Sequence, residues 1–176
     1  VKKELLSVEM SLADKESGSN LVFENVLNSY LRILESVMNE TLGKILYNQY
    51  GECLFITEDG ERFSDHAGAG MCLLNRYNGH VSMHAFLHLL SDVSKFGNLS
   101  LQSTNEKFPE MVDYFTNTLI PFIEEKELVA MRNAFKAGEK VNISKEMVFH
   151  LRNQILGVGC VGVINTLITI LFNSEQ

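Results

Sequence analysis

Proline is scarce in this sequence, and its scarcity constrains the fold more than any other feature. Only two prolines, Pro109 and Pro121, occur among 176 residues, and proline is the residue that interrupts an α-helix most strongly. Elsewhere, apolar residues recur at three- and four-residue spacing, which is the period of an amphipathic helix. The sequence therefore predicts an all-α fold.

Glycines, prolines and capping residues indicate where the predicted helices end. We expect helices over residues 3–15, 21–50, 68–77, 79–96, 111–125 and 127–135. The pattern over 21–50 fits either one long helix or two helices joined near residues 36–41. Pro121 should bend or tighten the last turn of its helix. An Asp-Gly turn within residues 53–63 predicts either a small hairpin or an irregular loop. The helix over 79–96 is strongly apolar, so we predict a compact bundle around this central hydrophobic helix.

The end of the chain carries an uncharged apolar segment, Ile155–Phe172. Its length is close to the roughly 20 residues that a helix needs to cross a bilayer. Asn142 or Ser144 is suited to cap a final helix that runs into this segment. We therefore divide the chain into a helical bundle over 1–153 and a hydrophobic tail over 154–176. The tail is either a membrane anchor or a buried core helix.

Charge and cysteine content limit the classes of partner. The formal net charge is -7 and the pI is about 5.2. Nucleic-acid binding depends largely on Lys and Arg at the phosphates, so we expect no nucleic-acid partner. The three cysteines show no CxxC spacing, which argues against a zinc knuckle or a disulfide framework. A reducing compartment such as the cytoplasm fits this usage best.

Three histidines, His80, His84 and His88, lie four residues apart. On a helix their imidazoles share one face, as metal or haem ligation requires. The alternative is that they form the wetter side of an apolar helix. We expect the second, with no metal or cofactor, and keep a metal- or haem-binding sensor as the alternative.

Signals of catalysis are weak. The sequence contains no G-x-S-x-G turn for a nucleophile, and Gly68-Ala-Gly70 has no Walker lysine that would indicate a phosphate site. Adjacent carboxylates such as Glu124 and Glu125 are interpreted as solvated surface charge. We therefore predict a binding protein rather than an enzyme, with a helical enzyme of unrecognised site as the alternative.

Several segments form an ordered pattern along the chain. They are Lys3–Met10, an amphipathic first helix; Leu34–Glu40; Tyr77–Val81, which opens the central hydrophobic helix; Tyr114–Ile123; and the apolar tail Ile155–Phe172.

In order and spacing, these segments resemble the homology motifs and the membrane anchor of the B-cell-lymphoma-two (Bcl) family of apoptosis regulators. Leu34–Glu40 resembles the third motif, with Met38 and Asn39 where the family has a small residue and an acid. Tyr77–Val81 resembles the first motif and shares its glycine, Gly79; His80 stands where the family has an arginine. Tyr114–Ile123 resembles the second motif, with a phenylalanine where the family has a tryptophan.

The resemblance implies a hydrophobic groove flanked by the helices over 34–50 and 68–87. The groove would accept an amphipathic helix from a pro-apoptotic partner. The residues implied to bind the partner are Met38, Leu42, Met71, Leu74, Asn78, Gly79, His80, Val81, Met83 and Leu87. For each apolar member of this set, a place in the plain core is the alternative.

The resemblance also implies a role and a location. The degenerate motifs favour a divergent, pro-survival member of the family, for which a viral origin is one interpretation. The family's tail implies attachment to an intracellular membrane, the mitochondrial outer membrane in particular. Homodimerisation is left open.

Overall fold

The computed structural model describes residues 2–13, 20–46, 55–56, 82–83, 102–103 and 106–172. Its helices are α1 (Lys2–Ala13), α2 (Asn20–Leu46), α3 (Phe108–Tyr114), a π-helical turn (Phe115–Leu119), α4 (Ile120–Glu125), α5 (Leu128–Ala137), α6 (Lys145–Leu156) and α7 (Val163–Phe172). In the described part, these helices make up nearly all of the regular structure. The predicted all-α class is confirmed.

One short antiparallel pairing accompanies the helices. Strand β1 (Phe55–Ile56) pairs with β2 (Gln102–Ser103), and Phe55 lies opposite Ser103. The partner of β1 thus comes from far along the chain; the rest of the expected 53–63 hairpin lies outside the described residues. The predicted helices over 68–77 and 79–96 also lie outside them, apart from Ser82 and Met83.

The chain divides into two compact units. The first comprises Val1–Val37 and Ile123–Ile168, and the second comprises Met38–Phe122 and Thr169–Gln176. The division into a bundle over 1–153 and a tail over 154–176 stays a prediction.

Within the first unit, α2 is enclosed on more than one side. Fully buried side chains on this helix include Leu27, Tyr30, Leu31, Ile33 and Leu34. At about 100° per residue, these five side chains together cover roughly 160° of the helix circumference. A helix that is apolar on several sides is stable only when neighbouring elements cover it. This pattern makes α2 a core helix of the first unit.

The turn before Pro121 is widened. The backbone N–H of Ile120 donates to the carbonyl of Phe115, five residues earlier, instead of four as in an α-helix. In a regular helix the ring of Pro121 would clash with the carbonyl of Asn117. The wider turn lies at the position where this clash would otherwise occur. Our expectation of bending or tightening did not anticipate a wider turn.

The predicted continuous helix into the tail is wrong. Ser144 caps α6 as expected, since its hydroxyl accepts a hydrogen bond from the backbone N–H of Met147 at 3.2 Å. The helix then stops at Leu156, because Gly157 adopts a left-handed conformation with φ of 84°. A left-handed glycine is a common helix terminus. Among the described residues, no helix combines the length and apolar character needed to cross a bilayer.

The segment between α6 and α7 closes on itself through two glycines. A Cβ atom built on Gly162 would lie 2.2 Å from the backbone nitrogen of Gly157. No side chain fits at that distance, so the two backbones meet where only glycine is tolerated. The amide of Asn165 donates to the carbonyl of Leu156 at 3.1 Å. The turn leaves Val161 88% exposed.

Candidate functional site

The residues predicted to bind a partner fall mostly outside the described part of the chain. Those outside it are Met71, Leu74, Asn78, Gly79, His80, Val81 and Leu87, together with His84 and His88. Leu42 lies on α2, but its side chain is not described. The side chains of Met38 and Met83 are 0% and 1% exposed. These two methionines belong to the second unit, and their side chains are closed to solvent.

A cleft of about 650 Å³ lies between α5 and α6, within the first unit. Its lining residues are Glu125, Lys126, Glu127, Met131, Glu146, Met147, His150 and Leu151. The volume is within the roughly 300–1,000 Å³ that ligand pockets usually have.

The apolar part of the cleft comes from both helices. Leu151 is 2% exposed, whereas Met147, one turn earlier on α6, is 36% exposed. Met131 on α5 is half-buried. Residues four apart on a helix lie on the same face, so Met147 and Leu151 form one continuous apolar strip.

The backbone at one edge of the cleft is strained. Glu127, directly before α5, has φ of 52°, and it is the sole non-glycine residue with a positive φ in the described part of the chain. This left-handed conformation is unfavourable for a residue with a Cβ atom. Its carbonyl nevertheless accepts the backbone N–H of Met131 at 3.1 Å, so the strained residue begins the helix.

The rim of the cleft is acidic. Hydrogen bonding from Lys126 lowers the pKa of Glu125 below its usual value. The pKa of Glu146 is also lowered, by hydrogen bonds with its own backbone N–H and with the Ser144 hydroxyl. The rim thus holds three carboxylates, on Glu125, Glu127 and Glu146, against one ammonium group. Lys126 pairs with Glu125, and the charge of Lys145 also acts on Glu146, so three carboxylates stand against two nearby ammonium groups.

The α5 wall of the cleft is tied to α2 by ion pairs. Arg132, which follows Met131, donates from Nε to Oε2 of Glu35 at 3.2 Å and from Nη1 to Oδ1 of Asn28 at 3.1 Å. Lys136 lies 3.7 Å from the other oxygen of Glu35, whose side chain is 2% exposed. A buried carboxylate needs such partners, because an isolated buried charge is strongly unfavourable.

The α6 wall is tied to α1 and α2. Arg152, which follows Leu151, donates from Nε to both oxygens of Glu9, at 2.9 and 3.0 Å. Its Nη2 also bonds Glu9, and the buried hydroxyl of Tyr30 donates to the same carboxylate. Hydrogen bonding from Arg152 holds the pKa of Glu9 below its usual value, while burial raises that of Tyr30. Both walls are thus held in place by fixed partners.

The described residues contain no group of three or more His, Cys, Asp or Glu side chains arranged to hold a metal ion. The cleft instead offers apolar surface with negative charge at its edge. It is suited to hold an apolar group that carries positive charge alongside.

Comparison with known proteins gives no match: no family model, no curated protein and no solved structure corresponds to this chain.

Sequence reasoning missed the cleft. None of Met131, Met147 and His150 was singled out, because each is unremarkable on its own amphipathic helix. A signal was present, since two successive helices joined by a short loop commonly pack together and both carry methionines. Glu124 and Glu125 are exposed, as expected of surface carboxylates.

Proposed function

We propose that this chain is a divergent Bcl-like regulator of apoptosis. It promotes survival by binding the amphipathic death-motif helix of a pro-apoptotic partner in an apolar groove. The observation that carries the proposal is the order of motif-like segments along an all-α chain: Leu34–Glu40, Tyr77–Val81 and Tyr114–Ile123 follow an amphipathic first helix. Helix-in-groove recognition requires helical walls of this kind.

In this proposal the groove lies between the helices over 34–50 and 68–87. Met38 and Met83 belong to its floor. Both are closed to solvent in the free chain, so anchors of the partner reach them only when neighbouring side chains move aside. Methionine suits such a floor, because its unbranched side chain repacks readily around a new contact.

Burial of apolar anchors drives the binding. About four anchors, each worth roughly 1.5–3 kcal/mol when fully buried, supply about 6–12 kcal/mol against the cost of association. The protein acts in the cytoplasm, at the surface of an intracellular membrane.

The test is calorimetric titration of the full chain with a panel of death-motif helical peptides. We expect at least one peptide to bind with roughly micromolar affinity. Gly79→Arg should abolish binding, because a long side chain at the glycine of the first motif blocks the close approach of the partner helix. Ala137→Arg adds the same side chain at an exposed position on α5 and should bind as the unmodified chain does.

Circular dichroism must show that both variants keep the helical content of the unmodified chain. The proposal fails if no peptide in the panel binds. It also fails if Gly79→Arg folds and binds as well as Ala137→Arg.

A further inference from the structure

The cleft between α5 and α6 leaves apolar surface partly open to solvent. Met147 is 36% exposed beside the fully enclosed Leu151. Exposed apolar surface framed by polar residues is typical of interaction sites. The feature is independent of the groove proposed above, which involves other helices.

We propose that this cleft is a second docking site, and that its occupant is a basic amphipathic helix of a partner protein. The apolar side of that helix lies on Met131, Met147 and Leu151. Its Lys and Arg residues face the acidic rim.

The ion pairs that hold α5 and α6 in place favour a preformed site. Arg132 ties α5 to Glu35, and Arg152 ties α6 to Glu9. Each arginine directly follows a residue that lines the cleft. Because the walls are held before the partner arrives, binding loses less conformational freedom than it would if the walls had to order.

The methionines favour a helix as the ligand. Met131 on α5 and Met147 on α6 both line the cleft, and flexible methionine side chains adapt to the different side chains of an incoming helix. On α6 the lining extends from Glu146 to Leu151, which is about 8 Å of helix. That length accommodates about one and a half turns of a partner helix, with anchors at i and i+3 or i+4 in the cleft.

The negative charge at the rim of the cleft favours a positively charged partner. Carboxylates outnumber ammonium groups at the rim even when Lys126 and Lys145 are counted, and the whole chain carries -7. Carboxylates at an interface rim attract cationic partners and repel anionic ones. A fatty acid, an anionic lipid surface or a phosphorylated peptide would therefore meet repulsion, whereas flanking Lys and Arg would be attracted.

The probe is a fluorescently labelled 15-residue synthetic peptide, rich in alanine, with leucines at i, i+3, i+4 and i+7 and lysines on either side of them. A second peptide has glutamates in place of every lysine. Fluorescence anisotropy with the full chain should show saturable binding of the lysine peptide and at least tenfold weaker binding of the glutamate peptide.

Two variants locate the site. Met147→Asp places a charge on the apolar strip at a partly exposed position, and it should weaken binding at least tenfold. The double variant Glu127→Gln/Glu146→Gln should weaken it about fivefold. The matched double variant Glu106→Gln/Glu139→Gln removes two exposed carboxylates that do not line the cleft. It should leave binding within about twofold.

Other outcomes would overturn the inference. The inference fails if the two peptides bind equally well, or if Met147→Asp folds and binds the lysine peptide as the unmodified chain does. It fails if sedimentation shows that the cleft joins two copies of the chain. It also fails if the chain binds vesicles containing 30% phosphatidylserine and Met147→Asp abolishes that binding. Gly79→Arg should bind the lysine peptide normally; if it does not, the peptide occupies the other groove. If the cleft proposal fails, the titration with death-motif peptides still tests the proposed function independently.

Discussion

Replacing Glu9 with glutamine removes the charge that joins α1 to α6. In the native chain this carboxylate accepts hydrogen bonds from Arg152 and from the hydroxyl of Tyr30. The glutamine amide keeps one oxygen, which can still accept from Tyr30. Arg152 then loses its anionic partner while it remains largely enclosed.

The size of the effect follows from burial and from the number of contacts. A hydrogen bond to a charged group contributes about 1.5–3 kcal/mol, and removing one partner from a fully buried pair costs about 3–5 kcal/mol. The side chains of Arg152 and Glu9 are 20% and 28% exposed, so water replaces part of what is lost. We expect a loss of about 2 kcal/mol, or about 4–8 °C in Tm for a chain of this size.

The control is Glu4→Gln, which removes the same charge from the same helix. Glu4 lies 3.9 Å from Arg32, and both side chains are well exposed. Such surface pairs contribute about 0–1 kcal/mol. Urea unfolding followed by circular dichroism at pH 7 compares the two variants. If Glu9→Gln is no less stable than Glu4→Gln, the pair does not hold the helices together.

Acid gives a second readout of the same group. The pKa of Glu9 is lowered in the folded chain from its usual value of 4.5. The contribution of Glu9 to the free energy of unfolding is therefore fully present above pH 4.5. It is lost as the pH falls through the pKa that Glu9 has in the folded chain. The stability difference between the native chain and Glu9→Gln should shrink in that range. A difference that stays constant from pH 7 to pH 2 would contradict this reasoning.

Two further pairs of variants test the backbone. Gly162→Ala should destabilise the chain by about 2–4 kcal/mol, because the added Cβ would meet the backbone of Gly157. Gly43→Ala should instead stabilise α2 by about 0.5–1 kcal/mol, because there is open space around this position. Glu127→Gly should stabilise by about 0.5–1 kcal/mol by relieving a positive φ, whereas Glu124→Gly within α4 should destabilise by a similar amount. The midpoints of urea unfolding measure the stability of all four variants. If the two variants of either pair change stability in the same direction, the backbone explanation for that pair is refuted.

Local patterns were enough to predict most helices in the described part of the chain. The expected helix over 3–15 corresponds to α1 (Lys2–Ala13), and the one over 127–135 corresponds to α5 (Leu128–Ala137). Asn142 and Ser144 were both candidate caps, because a short polar side chain before an amphipathic run satisfies a free backbone N–H; the structure shows Ser144 as the cap. These features depend on residues within a few positions of one another.

The failures concern backbone conformation and distant partners. An uncharged run suggested one long final helix, since hydrophobicity alone does not reveal that Gly157 adopts a left-handed conformation. The Glu9–Arg152 pair joins residues 143 positions apart, and the Glu35–Arg132 pair joins residues 97 apart. Each of these four residues looks like ordinary surface charge in its own helix. Both pairs hold walls of the cleft, so local patterns alone did not reveal how firmly these walls are held.

The wide turn at Phe115–Leu119 marks a place where the chain can carry one extra residue without changing the direction in which α4 faces. The turn holds one residue more than an α-helical turn, so the extra residue is absorbed there and the side chains of α4 keep their directions. A regular helix with one residue fewer would bring the ring of Pro121 against the carbonyl four residues before it. Loss of the exposed Asn117 should therefore be tolerated only together with a substitution of Pro121.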